Sequence, residues 1–541
     1  MPSALHLLHP AWLMAALLAA PGAAANTFRY ASSGDVLTMD PHSANEALTN
    51  GMKSNIYEGL VHRKWDTTIE PALAVRWSRP DTTTWRFELR RGVTFHDGTP
   101  FTADDVVFSF QRNKHKNSEL ANYVAAVKEV RKVDDFTVEY VTYGAHPILL
   151  GDLTTHFIMS KRWCEEHGTT EPSARLDRET YATRHANGTG PFMLVERVVD
   201  TRTVLAANPR WWGDATKEHN LTRVEFRPIA NAATRVSALL SGDLDMAYPV
   251  PLQDIPRVKA TSGFNVLQGP EIRVLFLGFD QWRDELMDMP GSGKNPFKDL
   301  RVRRAFYQAI DVKAIHDKVM RGASVPTGLM VAKEIAGYDE KIADRYPYDP
   351  QATRKLLADA GYPKGFRVTL DCPNDRYIND EAICQAVVSM LGRVGIEVAL
   401  NSMPKSRWLD KINSKNTSFY LLGWSPITFD AHNTLLALMV LQGPGAGLFN
   451  DGKYTNPKVE ELTAAAAVEL DEVRRLHLLS EAQRIHKEDF GHIPLHQQML
   501  AWGVRDGVEL KLDPIDYVRL RYVKMKAGNS FTRTSRVRPS N

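Results

Sequence analysis

The hydrophobic and polar positions of the chain switch between two periods. Trp85, Phe87 and Leu89 alternate with Arg86, Glu88 and Arg90, the two-residue repeat of a strand with one buried face. Gly92 ends that run, Val93 and Phe95 resume the alternation, and His96-Asp97-Gly98 turns the chain. Thr102-Ala103-Asp104-Asp105 is a capping-box pattern and predicts a helix carrying Val106, Val107 and Phe110. Helical spacing returns after Asp349-Pro350, where Leu356 and Leu357 precede a Gly361 stop, and after Asn456-Pro457, where Val459 and Leu462 follow. Between them Val368 to Leu370 predicts a strand, Ile383, Val387, Met390, Leu391 and Val394 predict a helix ended by Gly395, and Ile396 to Leu400 predicts a second strand. Strand, helix, strand is a crossover unit, and its recurrence predicts α/β lobes. No internal repeat and no low-complexity linker separates them, so the domains are expected to be tightly coupled.

One apolar run stands apart. Ala11 to Ala20 is about half the length needed to cross a bilayer and is followed by Pro21, Gly22 and Ala23-Ala24-Ala25. It reads as a secretory signal peptide over residues 1–25, leaving Asn26 as the first mature residue, although its leading segment carries His6 and His9 and no Lys or Arg. The first cysteine is Cys164, far from this boundary, so the mature protein is expected free in the periplasm and not lipid-anchored. Export places the cysteines in an oxidising compartment, where Cys372 and Cys384 are close enough to bridge and Cys164 is left odd. Cys372 at a strand end and Cys384 inside a helix leave that bridge open.

The 541 residues, 43% hydrophobic and 24% charged, suffice for a large core and more than one domain. Lys and Arg total 67 against 64 Asp and Glu, a balance that gives no reason to expect nucleic acid or an anionic membrane as partner. The tail from Lys526 through Arg533, Arg536 and Arg538 is polar and aperiodic, and is expected to be disordered. Gly291-Ser292-Gly293-Lys294 fails as a phosphate loop, because Asp288 stands where a glycine is required and Asn295 where Ser or Thr is required. Neither a Gly-x-Ser-x-Gly elbow nor a His-Glu-x-x-His helix is present. Among 17 histidines, His486, His492 and His496 cluster near Pro494 and His167 has ligand-like spacing from Cys164, but no carboxylate joins them at a recognised spacing. No metal, cofactor or catalytic residue is expected.

A set of longer strings is more specific. Ala72-Leu73-Ala74 with Trp77 precedes the run from Trp85-Arg86-Phe87-Glu88-Leu89 through Phe95-His96-Asp97-Gly98-Thr99-Pro100 to Asp104-Asp105-Val106. Gly188-Thr189-Gly190-Pro191-Phe192, Asn208-Pro209 with Trp211-Trp212-Gly213, Ser241-Gly242-Asp243-Leu244-Asp245, Asn295-Pro296-Phe297 with Arg301-Val302-Arg303-Arg304-Ala305, and Gly423-Trp424 follow in order. Over almost the whole mature chain these strings resemble the extracellular solute-binding proteins of family 5, the peptide and nickel class that serves ABC importers. The resemblance implies an α/β, two-lobed periplasmic binding protein fold (type II, class C), with a hinge between lobes and an extra subdomain in lobe I. Lobe I would comprise 26–273 and return at 503–530, lobe II would span 274–502, and 531–541 would be the tail. The crossings fall near Glu271 to Gly278 and Gln498 to Gly507. Hinge closure on a small ligand, read by an inner-membrane ABC permease, would be the whole mechanism, performed by a monomer without enzymatic chemistry.

In peptide-binding relatives an aspartate shortly after the Gly-Trp pair holds the peptide amino group and an arginine holds its carboxylate, as ionic recognition requires. In this chain Trp424 is followed by Ser425-Pro426-Ile427-Thr428-Phe429-Asp430, which puts Ile427 at the expected aspartate position and makes Asp430 the next acid, a candidate ligand contact or else a match to a second, structural aspartate of that loop. Arg376, before a predicted helix N-terminus, is the leading anion clamp, with Tyr377 as a stacking face and Asn379 as an amide contact. Trp424 is expected to line the pocket, and lobe I to contribute Glu46 and Asn50 from one helix face, with Glu46 a candidate amine partner. The expected ligand is a short peptide or a conjugate such as glutathione or a murein fragment. A metal chelate, haem or other non-peptide solute is the alternative within the fold, and a secreted hydrolase or holdase the alternative outside it.

Overall fold

Two long strands organise the molecule, and neither alternates in sequence. Phe264–Phe279 and His492–Arg505 pair antiparallel from Phe264 opposite Arg505 to Gly278 opposite His492. From Glu271 to Phe279 every residue is buried, which is why a two-residue polar repeat is missing there. The pairing register breaks between Pro270 and Val274, where proline has no N–H to give the ladder. The computed structural model describes residues 26–173, 178–443 and 446–526. The expected signal peptide and the expected tail at 531–541 lie outside the described residues.

Around this pair the described strands form one mixed eleven-stranded sheet. Phe419–Trp424, Arg367–Pro373 and Glu397–Met403 extend it on one side. Met246–Ala247, Thr27–Ser32, Arg223–Pro228, Arg202–Ala207 and Phe192–Val198 extend it on the other, and Ser324–Pro326 pairs with His492–Arg505 off this path. A separate four-stranded antiparallel sheet, Ala74–Ser78, Thr84–Leu89, Thr137–Thr142 and Val127–Asp134, packs beneath the helix Ala103–Lys114. Its core holds Trp85, Phe87, Leu89, Val106 and Phe110, the residues whose period predicted it.

Local signals act as expected where the interaction is short-range. Thr102 caps its helix through Asp105, whose Oδ2 accepts the Thr102 N–H at 2.9 Å. Asp349 and Asn456 cap helices that begin at Pro350 and Pro457. His96-Asp97-Gly98 is a turn in which Asp97 accepts the Thr99 N–H at 2.8 Å. The predicted crossover is real: Arg367–Pro373 and Glu397–Met403 run parallel, joined through the helix Asp380–Gly392. That helix starts earlier than its apolar period suggests, because Asn379 takes the left-handed conformation at φ 56° and turns the chain into it. Cys384 thereby sits near the helix start beside the strand end, and it bridges Cys372 with the two Cα atoms 6.5 Å apart. Cys164 is buried and unpaired with another cysteine, and burial pushes its thiol up to about 12.

Candidate ligand cleft

The C-terminal ends of Thr27–Ser32, Met246–Ala247 and Arg367–Pro373 open onto a cleft of about 580 Å³. Glu46, Ala47 and Leu48 with Tyr248 and Pro249 form one wall, and Asn374 to Asn379 with Lys405 form the other. The long strands supply the floor through Glu271, Arg273, Gln498 and Leu500 to Trp502, with Asp516 beside them. The volume lies within the range of small-molecule sites, roughly 300 to 1,000 Å³.

The loop carrying Arg376 is built around a carboxylate. Asp380 Oδ2 accepts the backbone N–H groups of Arg376 and Tyr377, each at 2.9 Å, and its Oδ1 accepts that of Glu381. The Cys372–Cys384 bridge closes the same loop from both ends. Ile378 N–H donates to Gln498 Oε1 at 3.2 Å, and Gln498 in turn donates to Glu271 at 2.6 Å, tying the loop to the floor. Glu271 also holds Arg273 at 2.7 Å, so both its oxygens are engaged. These restraints fix the backbone and leave the Arg376 guanidinium to reach across the cleft.

There it meets Glu46, with Nη1 3.7 Å from Oε1, while Lys405 Nζ stands 4.0 Å from the same oxygen. Glu46 caps the helix Ala47–Lys53 through Oε2, which accepts the N–H and the hydroxyl of Thr49. Burial pushes the Glu46 carboxyl up, but Lys405, Arg376 and the Thr49 bonds together hold it below the ordinary range. Burial pulls the Lys405 ammonium down, Arg376 adds to that, and Glu46 opposes both. Two cations thus converge on one carboxylate, an arrangement that receives a further anion readily.

The structure brings Arg376, Tyr377, Asn379 and Glu46 to this cleft. Tyr377 Oη accepts the Gly423 N–H at 2.9 Å, and Asn379 Nδ2 donates to Val319 O at 2.9 Å, so both are braced from behind. Three expected site residues lie elsewhere. Asp430 is 6% exposed, caps the helix Ala431–Leu438, and forms two 2.7 Å bonds to Arg475, so both its oxygens are committed to the fold. Trp424 donates to Asn433 Oδ1 at 3.1 Å, packs on Phe449, and is not among the residues lining the cleft. Asn50 donates to Asn45 and lines a separate chamber of about 50 Å³ with Arg63, Ile427, Tyr517, Arg519 and Arg521. Because Asn50 follows Glu46 by one helical turn, the two share a face but open onto different cavities.

Sequence reasoning missed Tyr248, Glu271, Arg273, Lys405, Gln498, Trp502 and Asp516. Glu271, Arg273, Gln498 and Trp502 lie in the segments expected as crossings, Glu271 to Gly278 and Gln498 to Gly507, which was the available signal for them. Of the histidines noted for metal spacing, His486 and His492 bond each other at 2.9 Å in the interior, and neither they nor His496 line the cleft.

With this geometry in view, comparison with known proteins is decisive about family. The family model for bacterial extracellular solute-binding proteins, family 5 (Middle), matches residues 68–443. The chain belongs to that family. It is a solute-binding component of the ABC importer type, a non-enzymatic class that holds a small solute and hands it to a membrane permease. The dipeptide-binding protein of Escherichia coli (strain K12) is 29% identical over 498 residues, covering 87% of this chain and 89% of that protein. Heme-binding protein A of Haemophilus influenzae is 27% identical over 498 residues, covering 87% of each. In fold the chain is similar to the ABC transporter-associated periplasmic binding protein DppA from Helicobacter pylori in complex with the peptide STSA. The TM-score is 0.80 at 24% identity, over 92% of this chain and 98% of that one. The fold is the mixed α/β fold of periplasmic binding proteins. No helix of the described residues is long and apolar enough to cross a membrane.

Proposed function

We propose that this protein captures a short peptide or peptide-like solute with a free carboxylate in the periplasm. The observation that carries the reading is the pairing of Arg376 and Lys405 against the single carboxylate of Glu46 across the cleft. Guanidinium grips a carboxylate through two parallel bonds, and a ligand carboxylate arriving there shares or replaces the Glu46 contact. Tyr248 and Trp502, with ring centroids 5.7 Å apart, give the ligand an aromatic wall, and the volume suits a few residues. Among the described residues, no histidine, cysteine or methionine lines the cleft, which argues against a haem or soft metal held through those side chains.

Lobe I would comprise 26–273 and 503–530, lobe II 274–502, with bending where the register of the long strands breaks between Pro270 and Val274. Glu46 and Arg376 would then belong to opposite lobes, so an anion between them stabilises the shut form that the permease reads. Native mass spectrometry of protein prepared from periplasm, followed by release of bound material, tests the reading. A peptide or conjugate with a free carboxylate is the expected result, whereas a metal chelate, haem or sugar would overturn it.

A further inference from the structure

Three of the five carboxylates lining the cleft have both oxygens engaged. Asp35 accepts the N–H groups of Val36 and Asp200 and pairs with Arg197. Glu46 is held by Thr49, Arg376 and Lys405, and Glu271 by Arg273 and Gln498. Asp375 Oδ1 accepts the Lys405 backbone N–H at 2.6 Å, and its second oxygen is left without a protein partner among the described residues, but the residue lies on the exposed rim and not inside the cleft. Asp516 differs. Its Oδ1 accepts the Trp502 indole N–H at 2.8 Å, and among the described residues its Oδ2 has neither a hydrogen-bond nor an ion-pair partner.

Its setting is built rather than accidental. Asp516 takes the left-handed conformation at φ 63°, in a turn where its N–H donates to Asp513 O at 2.9 Å. The turn is pinned to the floor because Ile272 N–H donates to Pro514 O at 2.8 Å, which sets Asp516 beside Glu271 and Arg273. Trp502 and Tyr248 line the same part of the cleft, and an aromatic face attracts a cation. Ile427 lies in the neighbouring chamber and offers no charge.

We infer that Asp516 Oδ2 is the acceptor for the ligand's primary ammonium group, making the cleft selective for solutes with a free amine as well as a carboxylate. The inference rests on the peptide reading above and adds the second ionic contact to it. The charged and titratable groups around Asp516 are Glu271 and Arg273 on the floor strand, Asp513 in its own turn and Tyr248 on the wall. Burial pushes the Asp516 carboxyl up to about 8; Glu271 and Asp513 add to the rise, and Trp502 and Arg273 oppose it. Near pH 7 the carboxyl is therefore mostly protonated in the empty cleft. An ammonium docking against it favours the carboxylate, so the proton leaves to solvent as ligand binds.

The test is isothermal titration of the full mature protein with Ala-Ala, Ala-Phe and Met-Leu and the N-acetylated form of each. Two pH 7 buffers of different ionisation enthalpy report the protons released. Wild type should release protons on binding each free-amine peptide. Asp516→Asn, which keeps the Trp502 acceptor, should release none and bind the free-amine peptides at least tenfold more weakly. It should treat the N-acetylated forms as wild type does. Equal binding of acetylated and free peptides by wild type overturns the assignment even if the variant does not fold. So does a folded Asp516→Asn protein with unchanged affinity and release. Wild type that binds none of the peptides but carries a non-peptide solute from periplasm would instead sink the peptide reading and this inference with it.

Discussion

Replacing Arg376 by Gln removes the cation at the anion end of the cleft while sparing its scaffold. The loop is held by Asp380 through backbone N–H groups, which glutamine retains, and by the Cys372–Cys384 bridge. A hydrogen bond to a charged group contributes about 1.5 to 3 kcal/mol. Two features place Arg376 in the lower half of that range. Its side chain is 25% exposed, so solvent screens it in part, and Glu46 already lies 3.7 Å from Nη1, so some of the gain from a ligand carboxylate is lost with the Glu46 contact. Lys405 remains to hold some charge in the variant. The expected loss is about 2 kcal/mol, close to thirtyfold in affinity. The assay compares one dipeptide with its C-terminal amide, by titration calorimetry at low ionic strength. Wild type should prefer the free acid by about thirtyfold, and Arg376→Gln should bind acid and amide within a few-fold of each other. A variant that keeps the full acid preference would remove Arg376 from the site, whatever its overall affinity.

Three further outcomes follow from the buried chemistry. Asp430→Ala strands the Arg475 charge in the interior and should cost about 3 to 5 kcal/mol in urea unfolding, with ligand affinity of the folded protein unchanged; a ligand defect without a stability defect would return Asp430 to the site. Paired Cys372→Ser and Cys384→Ser substitutions release a loop of sequence separation 12, expected to lower stability by about 3 kcal/mol and blunt the acid-over-amide preference, because Arg376 lies inside that loop. Lys53 is fully buried, its ammonium bonded to Ala44 O at 2.8 Å, and burial draws it down to about 8 against the pull of Asp40, Glu119 and Glu46. Its folded value lies below the unfolded one, so between about pH 8 and 10.4 the unfolded chain binds more protons and stability gains up to about 3 kcal/mol as pH rises. Urea midpoints of wild type and Lys53→Met compared from pH 7.5 to 10.5 should diverge in favour of wild type, and a constant difference would contradict the sign.

Legibility in the sequence followed the range of the interaction that decides each feature. The Thr102 capping box, the Asp349 and Asn456 caps and the alternation through Trp85, Phe87 and Leu89 depend on neighbours within a few residues, and each was readable. The central strands were not, since burial on both faces erases the period that marks a strand. The family strings supplied what periodicity lacked, the family and its fold, without describing the cleft.

The acids show the limit most sharply. Asp430 and Asp516 are both short loop carboxylates, and no local pattern separates them. Asp430 is spent because Arg475, 45 residues later, returns to it with two parallel bonds. Asp516 keeps an oxygen because the nearby cation, Arg273, is already bonded to Glu271. Whether a carboxylate holds the fold or awaits a ligand is thus decided by how many donors the tertiary structure brings to each acceptor. A one-residue reading cannot make that count, which leaves an oxygen to spare on Asp375 at the exposed rim and on Asp516 within the cleft, and only Asp516 holds it beside the aromatic faces of Trp502 and Tyr248.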